Sequence, residues 1–352
     1  MPRITIPEGL LAFAREQEAQ WPAQIDALKA SGVPLNAYDN VTSRADAQAL
    51  MPEDVNDAFL KALGGTSAVL SGFTNVPVGR AQVRFPVLSA LPVAYFVTGD
   101  TGQKQTTEIN WSNKFLNIEE LAVIVPVPDS VIADSEQPIW ESVMPLAEVA
   151  MGRALDAAVF FGTNAPASWP TNILAAATAA GNTAVLGTNA NTKGGVIGDQ
   201  SDLLGNTEAD GYDLTQAVAS RSLKGSFRQA RSSQGERFGE VVIGKDTVQA
   251  DGVEYTFPMR GQWPTAVSTV RGILWDPAEF VVGVRQDVTW KLLTEAVIQG
   301  AGGEIVYNLA QQDMSAMRIT MRIGWQVANT INYDQPVEGS RYPAGALIAA
   351  AS

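Results

Sequence analysis

Gly239, Gly244 and Lys245 stand at the spacing of a phosphate-binding loop, where glycines let the backbone wrap phosphate oxygens and the lysine reaches the terminal phosphates. Such a loop carries Ser or Thr after the lysine to hold magnesium. Here Asp246 takes that place, an anion that opposes phosphate. Val241, Val242 and Ile243 fill the interval and read as a buried strand instead of a flexible cradle, so no nucleotide site is expected. Paired carboxylates for acid–base catalysis are the next chemistry an acidic chain offers. Glu119 and Glu120 are adjacent in a strand pattern and point to opposite faces, while Asp210 and Asp213 lie in a loop with no apolar pocket to raise a carboxyl pKa. Both pairs read as solvated surface. No Ser-x-x-Lys and no Gly-x-Ser-x-Gly occurs.

The chain has no histidine and no cysteine. Disulfides, thiolate zinc sites, cysteine nucleophiles and histidine-dependent triads are therefore excluded together. No catalytic residue, metal site or cofactor is expected. Arg221, Lys224, Arg228 and Arg231 form a basic cluster. It reads as a solvated helix face or a subunit contact ahead of a phosphate site, because the net charge of −13 makes the average surface repel a polyanion. No aromatics interleave with it to stack bases.

The elements that would position any site must come from 352 residues that are 46% hydrophobic, enough for roughly two domains. No apolar run approaches the roughly 18 residues of a membrane span, and MPRITIPEGLLAF lacks the pattern of a signal peptide. Residues 7–31 read as a helix interrupted at Pro22, and Pro52 opens a second that Gly64 and Gly65 end. Strand patterns follow at 76–79, 83–88 and 94–99, then a polar tip, GDTGQKQTTE, at 99–108. Beyond the tip Ile109, Trp111, Phe115, Leu121, Val123, Val125 and Val127 keep to odd positions, as in one half-buried strand. The simplest geometry is a two-stranded arm, whose dozen-residue strands would reach roughly 40 Å.

Residues 135–163 predict a helix with Ser135 as its cap, a kink or restart at Pro145 and a stop at Gly162. Its apolar positions are Val143, Leu146, Val149, Ala150, Ala154, Leu155, Ala157 and Ala158. The Asn-, Gly- and Thr-rich stretch 163–212 reads as a loop insertion. A helix with Leu214, Val218, Leu223 and Phe227 follows, then the strand EVVIG, turns over 250–265, and the strands GILWD, FVVGV and VTWKLL. Last, Met317, Ile319, Met321, Ile323 and Trp325 alternate with Arg318, Thr320 and Arg322, a strand with one charged side. The class is α+β. Seven of the eight tryptophans, Trp111, Trp140, Trp169, Trp263, Trp275, Trp290 and Trp325, read as core or interface packing.

The order of these elements, and the segments PEDVNDAFLKALGGTSAVL (52–70), VRFPVLSALPVAYFVTGDTGQKQTTEINWSNKFLNIEELAVIVPVPDSVI (83–132), WESVMPLAEVAMGRALDAAVFFGT (140–163) and MSAMRITMRIGWQVANTINY (314–333), resemble the major capsid proteins of tailed double-stranded DNA phages. They span about a third of the chain. The resemblance implies an N-terminal arm over 1–82, an extended loop over 83–128 and a peripheral domain with a spine helix and insertion over 129–212. It further implies an axial domain over 213–300 and a return to the peripheral domain over 301–352. It also implies a non-enzymatic shell subunit that forms hexamers and pentamers around DNA without sequence-specific binding, in a virion assembled in the bacterial cytoplasm. Expected partners are a portal protein and a separate scaffolding protein, since only about 50 residues precede the shared region; the resemblance leaves open whether a decoration protein clamps the shell. Contacts between subunits are expected at Thr98, Asp100, Gln103, Lys104 and Gln105 on the arm tip and at Arg318 and Arg322. Some family members cross-link a lysine of the extended loop to an asparagine with help from a glutamate. Lys104 matches the donor, but Asp313 and Thr320 occupy the other positions, so no cross-link is expected. Encapsulins share the fold and are the nearest alternative; a carboxylate hydrolase is a remoter one.

Overall fold

The computed structural model describes residues 67–350 except 98–102, 105, 135–138, 191–192, 232–233, 237–240, 245, 259–262, 264–268 and 301. The helices expected over 7–31 and from Pro52, and the Ser135 cap, lie outside the described residues. In chain order the elements are α1 (Ala68–Gly72), β1 (Thr74–Pro77), β2 (Gln82–Ala90), β3 (Asn110–Asn117), β4 (Glu119–Pro128), α2 (Asp129–Asp134) and α3 (Ile139–Phe161). Next come α4 (Ile173–Ala180), β5 (Thr183–Leu186), α5 (Val196–Ala209), β6 (Gln216–Ala219), α6 (Arg221–Gln229), β7 (Val242–Ile243), β8 (Thr247–Ala250) and β9 (Val253–Thr256). The rest are β10 (Val270–Trp275), β11 (Phe280–Leu293), β12 (Val297–Gln299), β13 (Ile305–Asn308), β14 (Met314–Val327) and β15 (Ala344–Ala349).

Alternation decides the first sheet. Met317, Ile319, Met321, Ile323 and Trp325 are all buried on one face of β14, each worth about 2 kcal/mol of burial. They share a core with Ala147, Met151, Leu155 and Val159 of α3, which recur every four residues. The sheet order is β1-β11-β14-β4. FVVGV and VTWKLL are one strand, β11, whose register with β14 shifts at Gln286. Helix α3 runs on through Pro145 without restarting. Its buried face is displaced from the one expected, for Leu146 is exposed. Gly162, at φ +73°, ends the helix, its N–H bonding Ala158 while Thr163 N–H bonds Ala157.

A second sheet has the order β5-β15-β10-β6-β9-β8-β7. Its two faces feed different cores: Ile273 and Trp275 of β10 pack with α3 and α4, whereas Leu274 packs with Leu203 of α5 and Leu223 and Phe227 of α6. Phe73, Phe160, Trp275 and Phe280 stack and cross edges at the junction of α1, α3, β10 and β11.

Several expectations fail here for physical reasons. The 163–212 stretch is two helices and a strand, its polar composition reflecting polar residues that are buried and bonded. Asp199 accepts the N–H groups of Gly187 and Asn189 (2.6 and 2.7 Å), and Gln200 donates to the Ala250 carbonyl (2.8 Å). Leu214 and Val218 precede α6 and serve the sheet, and 250–265 contains β9. Residues 91–97 form no strand, and the presumed single strand after the tip breaks at Ile118, β3 pairing with β2 while β4 joins β14. The paired part of the arm is thus eight or nine residues per strand, about 27 Å.

After β14 the chain is held by Arg341, 3% exposed, whose guanidinium donates to the carbonyls of Asn329, Thr330, Gln335 and Pro336 at 2.8–3.2 Å. Arg341→Met keeps the apolar stem and takes this donor from the carbonyls of Asn329, Gln335 and Pro336, while Thr330 retains the Tyr212 hydroxyl at 2.8 Å. Urea unfolding is expected to show a loss of about 3 kcal/mol.

Candidate functional site: the projecting arm and its seat

The arm rises from a notch made by two glycines. Gly283 of β11 and Gly324 of β14 are cross-strand partners. A Cβ on Gly324 would overlap the Asn117 carbonyl, and one on Gly283 would lie 2.8 Å from Leu116 Cδ2 and 2.9 Å from Val78 Cγ2. Leu116, fully buried, fills the notch. Around it, Gln326 Nε2 donates to the Phe115 carbonyl (2.8 Å) and Asn117 Nδ2 to the Ser168 carbonyl (2.7 Å). Lys114 pairs with Glu338 at 2.9 Å and Tyr333 Oη donates to the Pro92 carbonyl at 2.8 Å. Between hairpin and sheet lies a cleft of about 320 Å³ lined by Phe85, Val87, Leu88, Trp111, Val281 and Ile331, among others.

Val87 and Leu116 of the arm are buried, but other apolar residues of it are exposed. In β3 the even positions Ser112, Lys114 and Leu116 turn toward the body of the protein, leaving Trp111 (64%) and Phe115 exposed. Val93, Ile109 and Phe96 are exposed as well, Phe96 completely. Such a row, on a hairpin too small to be stable alone, marks a surface that another chain covers. A second exposed apolar group, Trp290, Leu292, Val297, Ile305 and Val306, lies at the far end of β11 and on the β12–β13 hairpin.

Of the residues singled out from sequence, Gln103 and Lys104 are exposed near the arm tip, while Thr98, Asp100 and Gln105 lie outside the described residues. Arg318 is exposed on β14 directly across from Lys291, a like-charge pair that disfavours this face unless an acidic group meets it. Arg322 instead pairs with Glu120 of its own chain, 3.3 Å away. Sequence alternation gives no sign of these exposed residues, since it predicts one inward face for the whole odd-numbered row, whereas the break at Ile118 inverts the phase between β3 and β4.

Catalytic alternatives dissolve at the same level of detail. Glu119 accepts from Ser168 Oγ (2.6 Å), apart from Glu120, and Asp210 accepts from Asn182 (3.1 Å). Val242, expected to be buried, is 62% exposed in an edge strand that pairs with β8 instead of wrapping a phosphate; Gly239 and Lys245 lie outside the described residues. Among the described residues no cluster of carboxylates could hold a metal ion.

Asp156 of α3 ties α1 to the core, accepting from Ser67 Oγ (2.6 Å) and the N–H groups of Ala68 and Val69 (3.0 and 3.2 Å). Desolvation raises its pKa to about 6 against these bonds. The folded value exceeds the unfolded one, so the stability it contributes is full below pH 3.8 and is lost as pH rises through 6. Asp156 keeps some exposure, which trims the effect to about 2 kcal/mol. Unfolding free energies of the wild type and Asp156→Asn, compared across this range, are expected to diverge by that amount, the variant lacking this pH dependence.

A two-sheet body that presents exposed apolar residues on a projecting arm is the build of a subunit that contacts other chains. The chain matches the phage capsid family over residues 47–331 and belongs to that family. A structure from Microbacterium phage Oxtober96 is 34% identical, with a TM-score of 0.70 over 88% of this chain and 100% of that one. One from Mycobacterium phage Adephagia is 28% identical, with a TM-score of 0.69 over 88% and 98%. The capsid of a native GTA particle, at 13% identity, a TM-score of 0.55 and coverage of 81% and 90%, shares the fold. No curated protein matches the chain. The protein is a structural capsid subunit of the virion, not an enzyme.

Proposed function

We propose that the chain builds an icosahedral phage head as hexamers and pentamers around packaged double-stranded DNA, each arm lying over a neighbouring copy. The row Phe96, Ile109, Trp111 and Phe115 carries this: its apolar area faces solvent in the single chain and needs a partner. In this proposal 1–82 is the N-terminal arm and 83–128 the extended loop. Residues 129–212, with α3 as spine, and 301–352 are the peripheral domain and 213–300 the axial domain, except that β11 goes with the four-stranded sheet and β5 and β15 with the seven-stranded one. Gln103, Lys104, Thr98, Asp100 and Gln105 meet the neighbour at the arm tip, and Arg318 meets an acidic group. A portal protein and a separate scaffolding protein complete the head, which forms in the bacterial cytoplasm.

A photoreactive phenylalanine analogue at position 96 tests the arm's role. Irradiated assemblies are expected to yield dimers and longer ladders on denaturing gels; adducts confined within single chains would refute it. Without irradiation no covalent ladder is expected from intact shells. Asp313 offers a carboxylate where an amide must lose ammonia, and the Thr320 hydroxyl is engaged with Thr289 at 2.8 Å.

A further inference from the structure

The basic cluster has a geometry its sequence did not reveal. Helix α6 buries Leu223 and Phe227 against the second sheet. Arg221, Lys224 and Arg228 fall three and four residues apart, within about 60° of the helix circumference and about 10 Å of its length. Arg231, just past the helix end, folds back so that its Nη1 donates to the carbonyls of Arg228 and Ala230 (2.7 and 2.8 Å). Lys224 Nζ reaches the Gly244 carbonyl (2.7 Å) and lies over the Phe257 ring. Arg221 uses Nε on the Pro258 carbonyl (3.2 Å). Among the described residues, none of these three arginines is ion-paired with a carboxylate. Residues 221–271 hold eight Lys and Arg against five Asp and Glu, a positive excess in a chain whose net charge is −13.

We propose that this basic flank of α6 docks the sugar–phosphate backbone of the packaged double-stranded DNA, which rests on the capsid function proposed above. Whole-chain charge argues against a general polyanion binder, but a local arginine row is what phosphate oxygens need, each guanidinium offering a planar fork to them. Its length equals about three axial steps of duplex at ~3.4 Å each. A second copy of the chain is the less fitting occupant. Among the described residues from 186 to 241 no large apolar side chain is exposed, and Val242, exposed beside the Gly244 carbonyl that Lys224 reaches, is a single small one; contacts between proteins need an apolar centre, whereas those to DNA are polar and cationic. Contact is weak per copy and gains strength from the many copies facing one DNA.

The test uses the full chain, unassembled, with a random-sequence duplex of about three helical turns followed by fluorescence anisotropy. Three phosphate contacts give an affinity that falls about 40-fold between ~50 and ~200 mM salt. The triple variant Arg221→Gln, Arg228→Gln, Arg231→Gln is expected to lose that dependence, while Arg80→Gln, Arg84→Gln, Arg153→Gln, with the same charge change, keeps it. Circular dichroism and electron microscopy check that both variants fold and whether they form shells. Absence of wild-type binding at low salt, or equal loss in both variants, overturns the DNA contact. So does a first triple variant that binds DNA normally but fails to assemble, which would assign the flank to a second copy. Shells that form yet bind no DNA refute this contact alone, and a wild type that forms no shells refutes the capsid proposal instead.

Discussion

Gly324→Ala is expected to unseat the arm and abolish assembly while costing the single chain about 2–3 kcal/mol. The added methyl would meet the Asn117 carbonyl, a backbone atom at the bend between β3 and β4, and cannot be relieved by a rotamer change. Either β14 leaves its register or the arm root lifts, and both expose Leu116. Gly283→Ala is milder, about 1 kcal/mol, because its obstacles are the ends of Leu116 and Val78. Gly205, in α5 with nothing near a new Cβ, is the control: Gly205→Ala is expected to stabilise by about 0.5–1 kcal/mol. Urea unfolding and amide exchange over 110–117 measure the three together. Equal effects at Gly324 and Gly205 would mean that the notch does not hold the arm.

Phe96→Ser should separate assembly from folding. A side chain that touches solvent on all sides contributes within about 0.5 kcal/mol to the stability of the single chain. As an anchor in a contact between copies its truncation costs about 2 kcal/mol or more at every contact, repeated around a closed shell. Sedimentation is therefore expected to show unassembled protein whose unfolding midpoint is unchanged. A variant that assembles like the wild type would show that Phe96 is not an anchor.

The residues differ in how openly they declared their structure. Strand β14 was legible outright because a period of two with large apolar side chains has one solution, and Gly162 marked the end of α3. Burial by bonding, as at Asp199 and Gln200, leaves no apolar trace, so the region from α4 to α5 looked like a loop. Period alone also cannot say which face of a strand is inward. Trp111 and Phe115 kept the alternation and faced the solvent. What was legible of the site was the antiparallel hairpin of β2 and β3. Its glycine seat was not, since Gly283 and Gly324 matter only once their strands are paired.

The central claim, that this arm joins copies into a closed shell, is tested most directly by electron microscopy of the protein, purified alone or co-expressed with a scaffolding protein. Angular shells, or rings of five and six, are expected, with density for residues 93–115 lying against a neighbouring copy. A persistent monomer or small dimer, even with the scaffolding protein supplied, would contradict it.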